Sequence, residues 1–221
     1  MKAFILAAGR GDRLRPLTDK TPKPLLRVGA CSLIEHHLHN LQCAGISDVV
    51  INTSWLGEQI QKSLGDGSQY DLTINYSDEG DEALETAGGI IKALPLLDDD
   101  PFLVINADIW TDYDFSNLIQ RPVHSEAHLV LVDNPEHNTE GDFSLNDNIV
   151  KNLGPKMLTY SGIGIYTKSL FKGYAPGKRS LAPILREKID ANHISAEHYL
   201  GQWTDVGTIE RLKKLDTMLT K

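Results

Sequence analysis

Short apolar runs alternate with helix-spaced patterns through the first half of the chain. Ala3 to Ala7 is an unbroken apolar run of the kind that forms a strand buried on both faces. Between Ser32 and Ala44, the residues Leu33, Ile34, His37, Leu38 and Leu41 recur at helical spacing, and Gly45 ends the pattern. Asp48 to Thr53, through Val49, Val50 and Ile51, predicts a second strand. Ser54 stands where it would cap a short helix that buries Ile60 and Leu64 and closes at Gly65. Leu72 to Tyr76 alternates as a strand does. Thr86 to Leu97 predicts a helix despite Gly88 and Gly89, and Phe102 to Asn106 predicts a strongly apolar strand leading to Asp108. Strands and helices in alternation argue for a parallel sheet with helices on both faces.

The rhythm changes in the second half. His128 to Val132 reads as a strand, and Phe143 to Leu153 as a hairpin turning at Asn146-Asp147-Asn148. Leu158 to Tyr166 and Ile194 to Tyr199 are strand-like. Leu181 to Ile189 is helical with Pro183 in its first turn, and Thr208 to Leu219 is an amphipathic closing helix. No low-complexity linker or internal repeat interrupts the chain. The expectation is an α/β fold in a single domain spanning residues 1–221, with a small antiparallel insertion. The sheet is expected to be Rossmann-like, mixed but mostly parallel, and flanked by helices.

Composition narrows the function. The 221 residues include 22 Lys plus Arg and 30 Asp plus Glu, a formal net charge of −8. An acidic chain without a basic block is ill suited to duplex nucleic acid, whose binding rests on neutralising phosphates. Two cysteines, Cys31 and Cys43, are too few for a disulfide framework. The apolar start at Ala3 is too short for a signal peptide and runs straight into Arg10, Asp12, Arg13 and Arg15. No segment approaches the roughly 18 apolar residues of a membrane span. These features lead to the expectation of a soluble, cytoplasmic protein.

The chemistry concentrates after the first strand, in Leu6-Ala7-Ala8-Gly9-Arg10-Gly11-Asp12-Arg13-Leu14-Arg15-Pro16-Leu17-Thr18 and Thr21-Pro22-Lys23-Pro24-Leu25. Glycines after a buried strand let backbone pass close to a ligand, and their N–H groups can cradle phosphate oxygens. Three arginines and Lys23 add positive charge to an otherwise acidic chain. A dinucleotide fingerprint would need a third glycine where Leu14 stands, and no Gly-Lys-Ser or Gly-Lys-Thr of a Walker A loop occurs. Arg13, Arg15 and Pro16 also suit a loop better than a helix start.

This stretch resembles the signature of the sugar-1-phosphate nucleotidyltransferases, L-A-A-G-x-G-x-R-L-x-P-L-T followed by P-K-P-L. Asp12 departs from it, standing where many members have Ser or Thr. The resemblance continues through Glu85-Thr86-Ala87-Gly88-Gly89, Asn106-Ala107-Asp108, Ser161-Gly162-Ile163 and Trp203-Thr204-Asp205-Val206-Gly207-Thr208. Within the family, the segments Asn106 to Phe115, Leu131 to Pro135, Gly141-Asp142-Phe143 and Glu197-His198-Tyr199 are most similar to its short uridylyl-transferring members of cell-wall recycling. The resemblance implies the nucleotidyltransferase fold, UTP and a sugar 1-phosphate as substrates, and Mg2+ as cofactor. The missing C-terminal extension of longer members points to a monomer.

Such a transfer joins two anions, so the catalyst chiefly offsets charge and aligns the reactants. The resemblance implies a metal held by Asp108, just past an apolar strand, and Asp205, just before the last helix. Asp108 at a strand end in solvent and Asp205 as a helix cap are the bland alternatives. Lys23 is expected at the reacting phosphate and Arg13 on the β- and γ-phosphates, whereas Arg15 has an intra-loop ion pair as its alternative. Lys23 reads otherwise as an exposed loop lysine. Ala8, Gly9, Gly11, Asp12 and Gly88 are expected near the nucleotide. For Gly88, tight packing of a helix start is the alternative. Asn106, Asp142 and Glu197 are expected on the sugar side, with a turn role as the alternative for Asp142.

Other features stay bland. His36, His37 and His39 lack the i, i+4 spacing of paired ligands on a helix. Lys213-Lys214 reads as a solvated helix face, and Trp55, Trp110 and Trp203 as core or cleft wall. A guanylyltransferase of the same family, a non-catalytic nucleotide-sugar sensor and a dehydrogenase with a worn loop are the competing functions. Leu14 argues against the last, and retention of Lys23, Arg13, Asp108 and Asp205 argues against the sensor.

Overall fold

The computed structural model describes residues 1–146 and 149–220. The chain runs through β1 (Ala3–Leu6), the short pair β2 (Arg27–Val28) and β3 (Cys31–Ser32), α1 (Leu33–Cys43), β4 (Asp48–Thr53) and α2 (Gly57–Leu64). It continues with β5 (Thr73–Asp78), α3 (Glu85–Ala93), β6 (Phe102–Asn106), β7 (Ile109–Thr111) and α4 (Phe115–Ile119). The second half holds β8 (Ala127–Val132), β9 (Phe143–Asn146), β10 (Ile149–Lys151), β11 (Met157–Tyr166) and α5 (Leu181–Asp190). It closes with β12 (Ile194–Tyr199), β13 (Trp203–Asp205) and α6 (Ile209–Leu219).

Nine strands form one mixed sheet in the order β5-β4-β1-β6-β11-β8-β12-β10-β9. β1 lies at its centre, parallel to β4 and β6, with Ile5 opposite both Ile51 and Ile105. Among these strands β10 and β11 alone run against the others. The mostly parallel α/β sheet read from the sequence is therefore present. The antiparallel insertion is the β9–β10 hairpin, where Leu145 faces Val150. Of its expected turn, Asp147 and Asn148 lie outside the described residues. The reversed β11, wedged between β6 and β8, was not foreseen, because a strand's direction leaves no trace in its own hydrophobic pattern.

The unbroken apolar run of β1 follows from burial of both its faces. Ala3 and Ile5 pack with Ile34 and Leu38 of α1 and Ile60 and Leu64 of α2. Phe4 packs on the other side with Ile90 of α3 and Ile184 and Leu185 of α5. α1 starts in a capping box, with the backbone N–H of Ser32 donating to Glu35 Oε2 at 2.7 Å.

Two helix boundaries differ from expectation. α2 begins at Gly57, after Leu56 in the left-handed region at φ 53°, and the Ser54 hydroxyl donates instead to the Gly80 carbonyl at 2.8 Å. α3 stops at Ala93, short of Leu97, because Pro95 has no N–H to donate back to Ile91. Leu97 is nevertheless fully buried.

Two features outside the main sheet position the site. β13 pairs antiparallel with β7, Asp205 opposite Ile109, and the Val206 N–H donates to the Asp108 carbonyl at 2.8 Å. A separate apolar cluster joins Leu14, Leu26, Val28 and Leu33 to Val206, Leu212 and Leu215, so the glycine-rich loop is bolted to α6. Thr208 caps α6, its hydroxyl oxygen accepting from the Arg211 N–H, so Asp205 is not the cap.

Leu14 is fully buried in that cluster. Leu14→Ala is expected to destabilise the protein by about 2–5 kcal/mol, the usual range for a core Leu truncated to Ala. Urea denaturation checks this, and a loss below about 1 kcal/mol would mean that the loop is anchored elsewhere.

Candidate active site

The site lies beyond the C-terminal ends of the parallel strands, where open α/β sheets place their ligand crevice. Ala7 to Gly9 follow β1, Asn52 stands near the end of β4, and Asn106 to Asp108 leave β6. A cavity of about 530 Å³ is lined by Ala8, Gly9, Gly11, Asp12, Arg13, Lys23 and Asp108. A second hollow of about 450 Å³ shares Glu85, Thr86 and Asn106 with the first and adds Asp142, Tyr160 and Arg186. The shared residues join the hollows into one cleft with two halves.

Lys23 begins a short 3-10 turn after Pro22. It is buried rather than exposed, which corrects the surface reading of the loop. Its ammonium donates to Asp108 Oδ2 at 2.5 Å, while the Asp108 side chain keeps 39% of its surface open. The pair therefore has a sheltered cation and an anion that faces the cleft. Gly11, at φ 70°, packs against the Lys23 stem. A β-carbon at Gly11 would sit 3.2 Å from Lys23 Cβ, in a conformation that side chains rarely adopt.

The loop arginines divide by role. Arg15 pairs with Asp12 at 2.9 Å and with Asp19 at 3.4 Å, which is the intra-loop alternative. Asp12 lines the first half but is committed to Arg15 and, at 3.3 Å, to Arg10. The Arg10 guanidinium lies 4.1 Å over the ring of Trp55, whose indole N–H donates to the Thr18 carbonyl at 2.9 Å. Trp55 is thus a brace for the loop. Arg13 is exposed and lines the cleft. Its guanidinium and the Asp205 carboxylate both crowd Gly207, where a β-carbon would meet Asp205 Oδ2 at 3.0 Å and Arg13 Nη2 at 3.1 Å.

Asp205 comes near Asp108 through the β7–β13 pairing, but its carboxylate is engaged elsewhere. Oδ1 accepts from Arg211 Nη1 at 2.6 Å and lies 2.9 Å from His137 Nε2. It lines a separate hollow beside Trp110 and Trp203. The two aspartates nevertheless offer hard oxygen donors on adjoining segments. Among the described residues no group of three or more His, Cys, Asp or Glu is arranged around one metal position. That donor set suits Mg2+, which takes one or two carboxylates and completes its shell with phosphate oxygens and water.

Asn52 and Glu79 were missed by the sequence reading. Asn52 Oδ1 accepts the Ala7 N–H at 2.6 Å, and its amide donates to Glu79 Oε1 at 2.6 Å. Glu79 Oε2 accepts the Leu84 N–H at 2.6 Å. This buried chain ties β1, β4 and the start of α3 together along the cleft wall. The available signal was a polar Asn at the end of the apolar strand Asp48 to Thr53, where it needs buried partners.

Two other expectations resolve differently. Gly88 does not line either half. Its missing β-carbon would stand 2.4 Å from the Gly177 carbonyl oxygen, so tight packing of α3 explains the glycine. Glu197 also lines neither half. It accepts from the Tyr113 hydroxyl and from Arg121 Nη2 at 2.5 Å, with His128 Nε2 at 3.6 Å. His128, Tyr113 and Arg121 hold its carboxyl down at about 2 against an ordinary 4.5, overcoming burial. Asn106 faces both halves, and Asp142 lines the second, its Oδ2 accepting the Tyr160 N–H at 2.8 Å.

Comparison with known proteins adds to this geometry. The nucleotidyl transferase family profile matches residues 2–145. An N-acetylmuramate alpha-1-phosphate uridylyltransferase of Neisseria meningitidis serogroup B is 51% identical over 226 residues, covering 99% of this chain and 98% of its own. The Caulobacter vibrioides protein of the same description is 31% identical, covering 93% and 91%. A Bacillus anthracis structure, proposed as a glucose-1-phosphate thymidylyltransferase, superposes with a TM-score of 0.87 over 100% of this chain and 96% of its own. At 23% identity that likeness shows the fold.

Gly88→Ala is expected to lower the unfolding free energy by about 1–3 kcal/mol through overpacking, read from the denaturation midpoint, with nucleotide affinity little changed. A weakened nucleotide affinity without destabilisation would restore Gly88 to the binding site. For Glu197, the unfolded chain protonates near 4.5 and the folded protein only near 2. Its stabilising effect is full above pH 4.5 and is lost as the pH falls from there to about 2. Glu197→Gln should flatten that acid limb in a pH series of denaturation curves, and an unaltered limb would place the acid sensitivity elsewhere.

Proposed function

The chain belongs to the nucleotidyl transferase family, and on that premise we propose that it transfers UMP from UTP to N-acetylmuramate α-1-phosphate, giving UDP-N-acetylmuramate and pyrophosphate. The near-full-length likeness to the Neisseria protein supports this pair of substrates. The observation that carries the chemistry is the sheltered Lys23 ammonium against Asp108, in the half of the cleft lined by the glycine-rich loop, which continues past Asn106 into the second half.

A phosphate oxygen of the sugar phosphate attacks the α-phosphorus in line. The new P–O bond forms as the bond from that phosphorus to the bridging β-oxygen breaks, and pyrophosphate departs with the electron pair. No covalent bond to the protein is needed. Ala8 and Gly9 bring backbone against the nucleotide, held in place by the Asn52–Glu79 chain. Lys23 moves its ammonium from Asp108 to the α-phosphate, offsetting charge as the bond forms. Arg13, exposed at the cleft edge, takes the β- and γ-phosphates and then the leaving pyrophosphate. Asn106 and Asp142 orient the sugar.

Asp108 and Asp205 would hold Mg2+, Asp205 turning from Arg211 and His137 to do so. When bound there, the ion neutralises phosphate charge and polarises a phosphoryl oxygen. Gly88 and Glu197 keep structural roles in this scheme. We further place the reaction in cytoplasmic peptidoglycan recycling, carried out by a monomer of one domain. The main sheet draws strands from residue 3 to residue 199, which supports the single domain. No helix among the described residues is long and apolar enough to cross a membrane.

Pyrophosphate release, with Mg2+, the four ribonucleoside triphosphates, dTTP and a panel of sugar 1-phosphates, tests the substrate reading. Release with UTP and N-acetylmuramate 1-phosphate is expected. Release only with another pair, such as GTP and mannose 1-phosphate, would keep the chemistry and overturn the substrates. Nucleotide binding without release from any pair would favour the sensor. Lys23→Ala should lower kcat about 100- to 1000-fold, the scale for losing one preorganised donor to a developing charge. Near-normal turnover would remove Lys23 from the mechanism. Asp108→Asn should shift the Mg2+ titration to higher concentration, and an unmoved titration would place the ion elsewhere.

A further inference from the structure

The sugar half of the cleft is polar and carries acids of its own, Glu85 and Asp142, in a chain of net charge −8. An anionic substituent on the sugar would meet repulsion there unless a cation faced it. Among the residues lining this half there is one cation, Arg186. It sits on α5, exposed, with its guanidinium 5.3 Å over the ring of Phe143, the residue that follows Asp142. No carboxylate among the described residues forms an ion pair with it, whereas Arg121 and Arg211 are each held by one. The Phe143 face keeps the guanidinium over the cleft while leaving its N–H groups available.

N-acetylmuramate differs from N-acetylglucosamine by a lactyl ether, which adds one carboxylate to the sugar. The 1-phosphate must lie toward Lys23 and Asn106 for transfer, so the lactyl group is the anion left for the far side of the hollow. A guanidinium matches a carboxylate through two parallel N–H···O bonds. We propose that Arg186 binds the lactyl carboxylate of the sugar substrate and is the residue that selects a carboxylated sugar over its neutral counterpart. This assignment rests on the substrates proposed above.

The test is steady-state kinetics at saturating UTP with N-acetylmuramate 1-phosphate and N-acetylglucosamine 1-phosphate, on wild type, Arg186→Ala and Arg186→Lys. Arg186→Ala should raise KM for the muramate sugar about tenfold or more, with kcat and the KM for UTP changing far less. Its loss in kcat/KM should be at least tenfold greater for the muramate sugar than for the other. Arg186→Lys should recover part of the loss, since charge returns without the fork. An equal loss with both sugars would mean that Arg186 serves the 1-phosphate or the packing of α5, and would overturn the proposal. A KM for the muramate sugar within twofold of wild type would overturn it as well. A wild-type enzyme that uses N-acetylglucosamine 1-phosphate better than the muramate sugar would instead sink the substrate reading.

Discussion

Lys23 is a cation taken out of water, and its pairing with Asp108 is the contact around which the cleft is arranged. A buried ammonium without a partner would be strongly unfavourable. The loop after β1 therefore has to bring Lys23 to the end of β6, across the mouth of the sheet. Pro22 and Pro24 stiffen the approach, and Gly11 clears the space along the lysine stem. Because the carboxylate partner is partly open to solvent, an arriving phosphate can compete for the ammonium.

The second organising element is the short β7–β13 pair. Through the bond from the Val206 N–H to the Asp108 carbonyl, it clamps the chain's last segment beside the metal-ligand candidate from the sheet. Around Gly207 the clamp gathers Arg13, Asp205 and Arg211 within a few ångströms. Opposite charges at this density offset one another. The apolar cluster from Leu14 to Leu215 keeps this polar edge from drifting apart.

Much of the fold was legible because burial on two faces writes itself into composition. The strands at Ala3, Asp48 and Phe102 read as apolar runs, and their helices as spaced stripes. Local chemistry decided helix ends, correctly at Ser32 and Gly65, wrongly at Ser54, whose hydroxyl found a distant carbonyl at Gly80. The glycine pair in α3 invited a ligand explanation, yet Gly88 answers to the Gly177 carbonyl, a neighbour 89 positions away. Asn52 shows the converse. It looked like the end of a strand and proved to be the link from Ala7 to Glu79.

The sequence by itself determined the α/β class and the glycine- and arginine-bearing loop after the first strand. Each of these is carried by neighbours in the chain, whose spacing alone sets local geometry and local charge. Only the tertiary structure decided which side chains meet. It sheltered Lys23 on Asp108, tied Asp205 to Arg211, committed Glu197 to Tyr113 and Arg121, and set Arg186 over Phe143 beside Asp142. Those pairings join elements distant in the chain, and they depend on strand order and on the reversed β11. Neither is written in any local pattern, because hydrophobic periodicity records which face is buried and not what it is buried against.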